Sequence, residues 1–244
     1  MRTRQESLIS KEAAVNILLF DTSTQILSIA LKCDKFYEER LISGGFSHSE
    51  DLLNEVVSLL DRAKITLKDL DLLICTKGPG SFTGIRVGMV TMKGFASALS
   101  IPLVSVGTLE AIEKAAGLYK GAVLSVIDAK KKRFYQRLSF DGELIIPDSD
   151  SSPEDSIEAL SAYDEVLVTG PDAELFIEKV KAADPELNLI ADTQIPRNLS
   201  KAMIALGLKK YQECGADDIG EGPVYIRRSD AEEALIKKME EANG

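Results

Sequence analysis

Two aspartates, Asp21 and Asp128, end apolar segments that share one layout. Residues 15–31 and 122–138 each read as an apolar strand, a terminal aspartate, a polar turn and a second strand. This repeat suggests two similar subdomains that face each other across a cleft. Chance explains the repeat equally well when it is taken alone, because two buried strands could each end in a polar residue without being related. Carboxylates at such turns could approach a bound metal or phosphate group, so the cleft candidates are Asp21, Thr22, Ser23, Thr24 and Asp128.

A glycine-rich loop between a predicted strand and a predicted helix is the most informative segment. It consists of Gly78, Pro79, Gly80, Ser81, Phe82, Thr83 and Gly84. Its amides and the start of the helix could hold an anion. The spacing excludes a Walker loop, a dinucleotide-binding G-x-G-x-x-G and a G-x-S-x-G nucleophile elbow. A tight turn that needs glycine for positive φ explains the segment equally well.

Histidine and cysteine usage excludes several classes of protein. The chain of 244 residues has one histidine, His48, so no metal site that needs two imidazoles can form. Three separated cysteines, Cys33, Cys75 and Cys214, form neither a C-x-x-C pair nor a disulfide framework, which favours a reducing, cytoplasmic setting. No apolar run approaches the roughly 18 residues of a membrane span, and we expect no membrane contact.

The negative charge is concentrated in one region. The chain carries 29 basic and 39 acidic side chains, a formal net charge of −10, and residues 141–195 hold 15 acids against two bases. These acids would repel a phosphate backbone, so any contact with nucleic acid must use another surface or another protein. The simpler interpretation is that the acids solvate one face of a small domain.

Strands and helices alternate along the first half of the chain, which predicts an α/β layer fold. We expect strands over residues 16–20, 26–31, 36–42, 70–76 and 101–106, and helices over 47–62, 85–99 and 109–116. Glycines at 84, 88 and 94 recur near or within the second helix, where each costs about 1 kcal/mol relative to alanine. Close approach of another helix would offset that cost, either inside the domain or from another protein.

Four segments, in this order along the chain, resemble the TsaB (YeaZ) family, bacterial proteins required for making threonylcarbamoyladenosine in tRNA. The resemblance runs from about residue 16 to residue 228, and the second segment is the most specific. The segments are Phe20-Asp21-Thr22-Ser23-Thr24, Gly78-Pro79-Gly80-Ser81-Phe82-Thr83-Gly84-Ile85-Arg86-Val87-Gly88, Asp128-Ala129 and Pro223-Val224-Tyr225-Ile226-Arg227.

The resemblance implies an α/β fold of two similar subdomains of the actin, Hsp70 and sugar-kinase (ribonuclease H-like) type, with mixed sheets flanked by helices. It divides the chain into five parts. These are a flexible leader (1–15), an N-terminal actin-like subdomain with the partner helices (16–118), an acidic C-terminal subdomain (119–196), a helix and segment that pack back on the N-terminal subdomain (197–228), and a tail (229–244).

The function that the resemblance implies is that of a non-catalytic partner and activator. The activated enzyme would be the TsaD threonylcarbamoyltransferase, the paralogue that modifies tRNAs reading ANN codons. The chain would then have no catalytic residue, no metal ligand and no cofactor of its own, since ATP is used by the partner proteins. TsaD holds its metal with a His-x-x-x-His pair, which a chain with His48 alone cannot form.

The partners implied by the resemblance meet the N-terminal helices. A TsaD-like paralogue would pair with residues 47–62 and 84–99, and a TsaE-like ATPase would join at or near that pairing. The resemblance also implies a TsaC-type enzyme that acts in the same synthesis. The chain would contact tRNA only through the complex, and the free chain would form a homodimer. The candidate interface residues are His48, Leu52, Val56, Arg86, Gly88, Met89, Met92 and Phe95.

One turn departs from the family pattern. After Asp128-Ala129 the family has arginine, glycine and an acid, whereas this chain has Lys130-Lys131-Lys132-Arg133. A solvated hairpin tip is the simpler interpretation, and contact with tRNA or with an acidic partner surface is the functional one.

Two other functions stay open. A small ATP-using kinase of the same fold would place Asp21 and Asp128 beside phosphates and magnesium, although Ser23 stands where such turns carry glycine. A glycoprotease-like hydrolase is less well supported, because His48 would be its one possible general base.

Overall fold

The structure of the protein is a computed structural model that describes residues 15–43, 49–117, 119–192 and 199–227. Its strands form two five-stranded sheets. The first sheet contains β1 (Ile17–Asp21), β2 (Ile26–Cys33), β3 (Phe36–Ser43), β4 (Leu72–Thr76) and β5 (Leu103–Val106), in the order β3-β2-β1-β4-β5. β1 pairs antiparallel with β2 and parallel with β4, so the sheet is mixed.

The second sheet repeats this topology. It contains β6 (Ala122–Asp128), β7 (Phe134–Phe140), β8 (Glu143–Ser151), β9 (Val166–Thr169) and β10 (Leu189–Ala191), in the order β10-β9-β6-β7-β8. β6 pairs antiparallel with β7 and parallel with β9, as β1 does with β2 and β4. The predicted α/β fold of two similar subdomains with mixed, helix-flanked sheets is confirmed.

Helices cover both faces of the first sheet. One face is packed by α1 (Ser49–Ala63) and α2 (Phe82–Leu99), and the other by α3 (Thr108–Ala115) and α6 (Leu199–Cys214). The central strand β1 is buried along its whole length, which explains why its residues are almost continuously apolar. The second sheet is packed by α4 (Ile157–Leu160) and α5 (Ala173–Ala183).

Helix α3 also links the two subdomains. Leu109 and Ile112 on this helix form a buried cluster with Ile127 of the second sheet. Another side of the same helix, with Ala111, lies in the core beneath β1 and α6. The contact between the subdomains therefore includes a buried apolar cluster.

Helix α2 begins one turn earlier than the predicted residue 85. The Oγ of Ser81 accepts a hydrogen bond from Gly84 N at 3.2 Å, and the helix ends at Ser100 in the left-handed conformation (φ 55°). A serine N-cap satisfies an otherwise unpaired amide of the first turn, so Phe82, Thr83 and Gly84 are helical rather than part of the loop. None of the described helices is long and apolar enough to cross a membrane.

Candidate functional site

Asp21 stabilises the turn that follows β1 through hydrogen bonds. Its Oδ1 accepts hydrogen bonds from Ser23 N at 2.9 Å, Ser23 Oγ at 2.6 Å and Thr76 Oγ1 at 3.1 Å. The side chain is 1% exposed, and burial raises the pKa of its carboxyl above the ordinary value although these hydrogen bonds lower it. One of the two carboxylate oxygens is therefore used to tie the turn to β4.

The glycine-rich loop lies directly on this turn. Ser81 N donates to Ser23 O at 2.6 Å. A Cβ at Gly80 would stand 2.3 Å from Ser23 O, and one at Gly84 would stand 2.1 Å from Thr22 O. Both distances are shorter than any side chain tolerates, so glycine is required where the loop and the first turn of α2 cover the backbone of the aspartate turn.

Gly88 makes a similar contact, which corrects one expectation. A Cβ there would lie 2.2 Å from Thr22 Oγ1, whereas a Cβ at Gly94 would meet nothing within 4 Å. The close neighbour of Gly84 and Gly88 is the turn after β1 and not another helix. The idea that these two glycines admit a partner helix is wrong, and only Gly94 lies open.

The first part of the loop contacts the C-terminal segment of the chain. Gly78, with φ 106°, accepts a hydrogen bond from Thr108 N at 2.9 Å. A Cβ on Gly78 would lie 2.6 Å from Val224 O. Pro79 follows and lines the space between the subdomains.

The second aspartate turn is built differently. Asp128 Oδ1 accepts from Lys130 N at 2.8 Å, and its Oδ2 pairs with Lys130 Nζ at 2.8 Å. Lys130, Lys131 and Lys132 are exposed and have φ of 61°, 53° and 62°. Asp128 N donates to Asp172 at 2.8 Å, in the loop that follows β9, while the three lysines lie exposed at the tip of the β6–β7 hairpin.

Residues 223–227, which we call the strap, join the two subdomains. Val224 N donates to Lys77 O at 2.7 Å in the first subdomain. Arg227 Nη2 donates to Ala129 O at 2.8 Å in the second subdomain, and its Nη1 lies 3.7 Å from an oxygen of Asp150. The strap thus forms one wall between the turns.

The two turns, the loop and the strap enclose a cleft of about 690 Å³. Ser23, Thr24 and Asp128 line this cleft, together with Lys130 and Arg227. Thr22 lies under α2, and Asp21 faces a separate cavity of about 360 Å³ between the subdomains. The structure therefore brings three of the five cleft candidates to one cavity, and the other two are largely enclosed.

Half of the eight candidate interface residues are core residues. Leu52, Val56, Met89 and Met92 are buried in the core between the first sheet and helices α1 and α2, so they cannot form a surface for a partner. Phe95 is half-buried and packs edge-to-face on Phe20, with ring centroids 6.5 Å apart. His48 lies outside the described residues.

The outer sides of the same helices carry exposed apolar residues instead. Leu53 and Val57 on α1 are 46% and 54% exposed, and Val90 on α2 is 68% exposed. Arg86 lies on α2 about one turn before Val90 and is the one exposed side chain among the candidates that the structure describes. We call Leu53, Val57, Arg86, Val90 and Gly94 the outer face.

Sequence reasoning missed the role of Tyr225 and Arg227, although both lie in a segment that carries the family resemblance. Tyr225 packs on Phe82 with ring centroids 4.5 Å apart, and its hydroxyl accepts from Arg86 Nε at 2.6 Å. An aromatic and an arginine two residues apart in a late polar segment were the available signal. Their contacts link residues far apart in sequence and so required the fold.

Other potential reactive groups in the described ranges do not converge. Among those residues, no group of three or more histidine, cysteine, aspartate or glutamate side chains could hold a metal ion. Burial raises the pKa of the Cys75 thiol to about 12, which keeps it protonated. Gln25, Tyr135 and Asp172 also line the cleft.

Comparison with protein families and with individual proteins gives consistent results. A family model described as TsaD, tRNA N6-adenosine threonylcarbamoyltransferase, matches residues 45–213. The tRNA threonylcarbamoyladenosine biosynthesis protein TsaB of Bacillus subtilis is 29% identical over 231 residues, covering 92% of this chain and 100% of that protein. The Escherichia coli protein of the same name is 32% identical over 123 residues, covering 50% of this chain and 53% of that protein.

Solved structures agree in fold. YeaZ from Pseudomonas aeruginosa superimposes with a TM-score of 0.70 at 24% identity, over 86% of this chain and 99% of that one. A second P. aeruginosa structure, described as an uncharacterized protein with similarity to peptidase YEAZ, gives a TM-score of 0.72 at 23% identity, over 87% and 100%. At these identities the likeness concerns the fold.

Proposed function

We propose that this chain, which belongs to the TsaD family and within it to the TsaB (YeaZ) group, acts in making threonylcarbamoyladenosine in tRNA as the non-catalytic partner and activator of a TsaD-type transferase. Relatives named TsaB biosynthesis proteins include one matched along its whole length, which supports the pathway. The non-catalytic role rests on the geometry of the aspartate turns.

The observation that carries the non-catalytic role is the covered turn after β1. Nucleotide-binding turns of this plan offer free backbone amides to phosphate groups. Here the Ser23 amide donates to Asp21, and the Ser23 carbonyl accepts from Ser81. The residues present therefore do not fit a bound ATP at this turn, and no step is assigned to one. In this proposal ATP is used by the partner proteins, and the chain needs no cofactor of its own.

The outer face is the surface that we assign to the partner. Exposed apolar side chains on two helices that cover the same face of a sheet are typical of protein interfaces. The TsaD-type paralogue would pack on Leu53, Val57 and Val90, and the free chain would use the same residues in a homodimer. In this proposal a TsaE-like ATPase binds near this pairing, and a TsaC-type enzyme supplies the activated intermediate. The chain contacts tRNA only through the complex, in the cytoplasm.

Reconstitution tests the role directly. The purified chain, supplied with a TsaC-type enzyme, a TsaE-like ATPase, ATP, threonine, bicarbonate and tRNA, should form no threonylcarbamoyladenosine. Addition of the TsaD-type protein of the same organism should restore synthesis, and omission of this chain should abolish it. Modification by the chain without the TsaD-type protein would contradict the proposal, as would tight Mg-ATP binding with turnover.

The outer face can be tested separately. Val57→Arg and Val90→Arg place a charge in the proposed contact, and we expect each to weaken pairing with the TsaD-type protein by at least about 30-fold. Leu144→Arg is the matched control, because Leu144 is 49% exposed on the second subdomain. Thermal unfolding should be unchanged in all three. Position 88 cannot serve in this test, because a side chain there collides with Thr22.

A further inference from the structure

Arg86 is held in one orientation by two aromatic rings. Its Cζ lies 3.8 Å from the centroid of the Phe82 ring and 5.4 Å from that of Tyr225. Its Nε donates to the Tyr225 hydroxyl at 2.6 Å. A stacked guanidinium has already lost much of its rotamer freedom, so a ligand that binds its remaining N–H groups need not order the side chain.

Tyr225 is in turn fixed by the strap. Val224, one residue earlier, donates a hydrogen bond from its backbone N to Lys77 O in the first subdomain. Arg227, two residues later, donates from its side chain to Ala129 O in the second subdomain. The orientation of Arg86 therefore depends on contacts with both subdomains. A strap that came loose would release the arginine without altering the helix that carries it.

The surroundings of Arg86 indicate what kind of group its guanidinium binds. The Nη atoms have no carboxylate partner among the described residues. The other cation of α2, Lys93, donates to the carbonyls of Ile219 and Glu221 and is engaged there. Val90, about one turn beyond Arg86, is apolar and exposed, and Gly94 leaves space for a close neighbour.

We propose that Arg86 is the charged anchor of the outer face, that it binds a carboxylate side chain of the partner protein, and that Tyr225 is the positioning residue that holds it for that contact. This inference rests on the proposed function, since it concerns the same partner surface. Two N–H groups of a guanidinium match the two oxygens of a carboxylate, which gives direction as well as affinity.

A protein carboxylate is favoured over a tRNA phosphate. Binding of nucleic acid depends on several cations that neutralise phosphates together. On α2, Lys93 is engaged by carbonyl groups, and the neighbours of Arg86 on the outer face are apolar or small. An arginine beside exposed apolar side chains is the composition of a protein interface.

The test is a double-mutant cycle on pairing with the purified TsaD-type protein, measured by isothermal titration. Arg86→Ala should weaken pairing about 30-fold, the size of an interface hot spot. Tyr225→Phe keeps the ring and removes the acceptor for Nε, so we expect a loss of about fivefold. In the Arg86→Ala background, Tyr225→Phe should cost nothing further, because its effect passes through Arg86.

Three controls separate charge from structure. Arg86→Lys should recover only part of the affinity, because an ammonium lacks the planar fork. The salt dependence of pairing should be weaker in Arg86→Ala than in the unaltered chain. Tyr163→Phe, a tyrosine stacked on Phe140 in the second subdomain, should change nothing.

The outcomes distinguish this inference from the proposed function. If the unaltered chain does not pair with the TsaD-type protein, the proposed function fails. If it pairs and Arg86→Ala pairs equally well, the anchor is wrong and the proposed function stands. If Arg86→Ala leaves pairing intact but weakens tRNA binding by the complex, the arginine binds phosphate and the inference is overturned. Additive losses in the cycle would refute the positioning role of Tyr225.

Discussion

The two aspartate turns occupy equivalent places in sheets of the same topology, yet one is enclosed and the other is open. Asp21 is 1% exposed, with three hydrogen-bond donors on one oxygen, whereas Asp128 is 19% exposed and pairs with a lysine of its own turn. The difference arises from what packs on each turn. A glycine loop and helix α2 lie on the first, whereas the second meets the strap and Asp172 and leaves its lysines exposed.

This difference shows that a repeated motif does not imply a repeated function. In each subdomain a strand, an aspartate and a turn recur, and burial decides what the carboxylate does. On the first side the acid is a structural acceptor, and on the second it stabilises a strained basic turn. The asymmetry follows from Gly80, Gly84 and Gly88, which let the covering segment approach.

The largest effect on stability is expected from adding a side chain at one of these close contacts. Gly84→Ala places a Cβ against the Thr22 carbonyl, and we expect a loss of about 3 kcal/mol in the free energy of unfolding, because backbone on both sides must shift. Gly94→Ala in the same helix meets nothing and should stabilise the protein by about 0.5–1 kcal/mol. Urea denaturation of both variants measures the difference. Equal effects at the two positions would mean that the turn is not held against α2.

The second prediction compares the aspartates themselves. Asp21→Ala leaves the Ser23 amide, the Ser23 hydroxyl and the Thr76 hydroxyl without their acceptor in a buried site, and should cost about 2–4 kcal/mol. Asp128→Ala removes an exposed turn contact and should cost about 1 kcal/mol or less. Denaturant midpoints at constant slope test this ordering. A larger loss at position 128 would reverse the comparison.

The smallest expected effect is one of pH. Burial raises the pKa of Asp21 in the folded protein, so the folded state binds its proton more tightly than the unfolded state does. The contribution of this group to stability is therefore present below pH 3.8, the ordinary pKa of an aspartate, and is lost as the pH rises through the folded pKa. Asp21→Asn keeps an acceptor oxygen and does not titrate. Relative to this variant, the unaltered protein should lose stability between acidic and neutral pH. A relative gain over that range would show that the hydrogen bonds outweigh the burial.

Much of the fold could be predicted from pattern. The apolar run that ends at Asp21 and its counterpart that ends at Asp128 are both central strands, because continuous apolar residues need burial on both faces of a sheet. The pattern predicts the start of α2 three residues too late, because Ser81 caps the helix from within a segment that has the composition of a loop. A capping serine and a turn serine look alike until the hydrogen bond is seen.

The sequence places the proposed partner surface on two helices and does not say which side of each helix is exposed. Met89 and Met92 share a helix with Val90 and have similar hydrophobicity, but they point into the core while Val90 points outward. Helical periodicity says that one side of an apolar helix is buried, and it does not say which side when both sides are apolar. Four of the eight interface residues expected from the sequence therefore lie on the buried side of their helices.

By itself the sequence determined that this protein is an α/β chain with a duplicated strand–aspartate unit, one histidine and a specific glycine loop, because these are properties of composition and local order. Only the tertiary structure decided that the loop closes one of the two units and that Tyr225 and Arg227 bring the strap across to Arg86 and Ala129. Contacts between residues more than 90 positions apart depend on how the sheets and helices pack, and no local spacing encodes them.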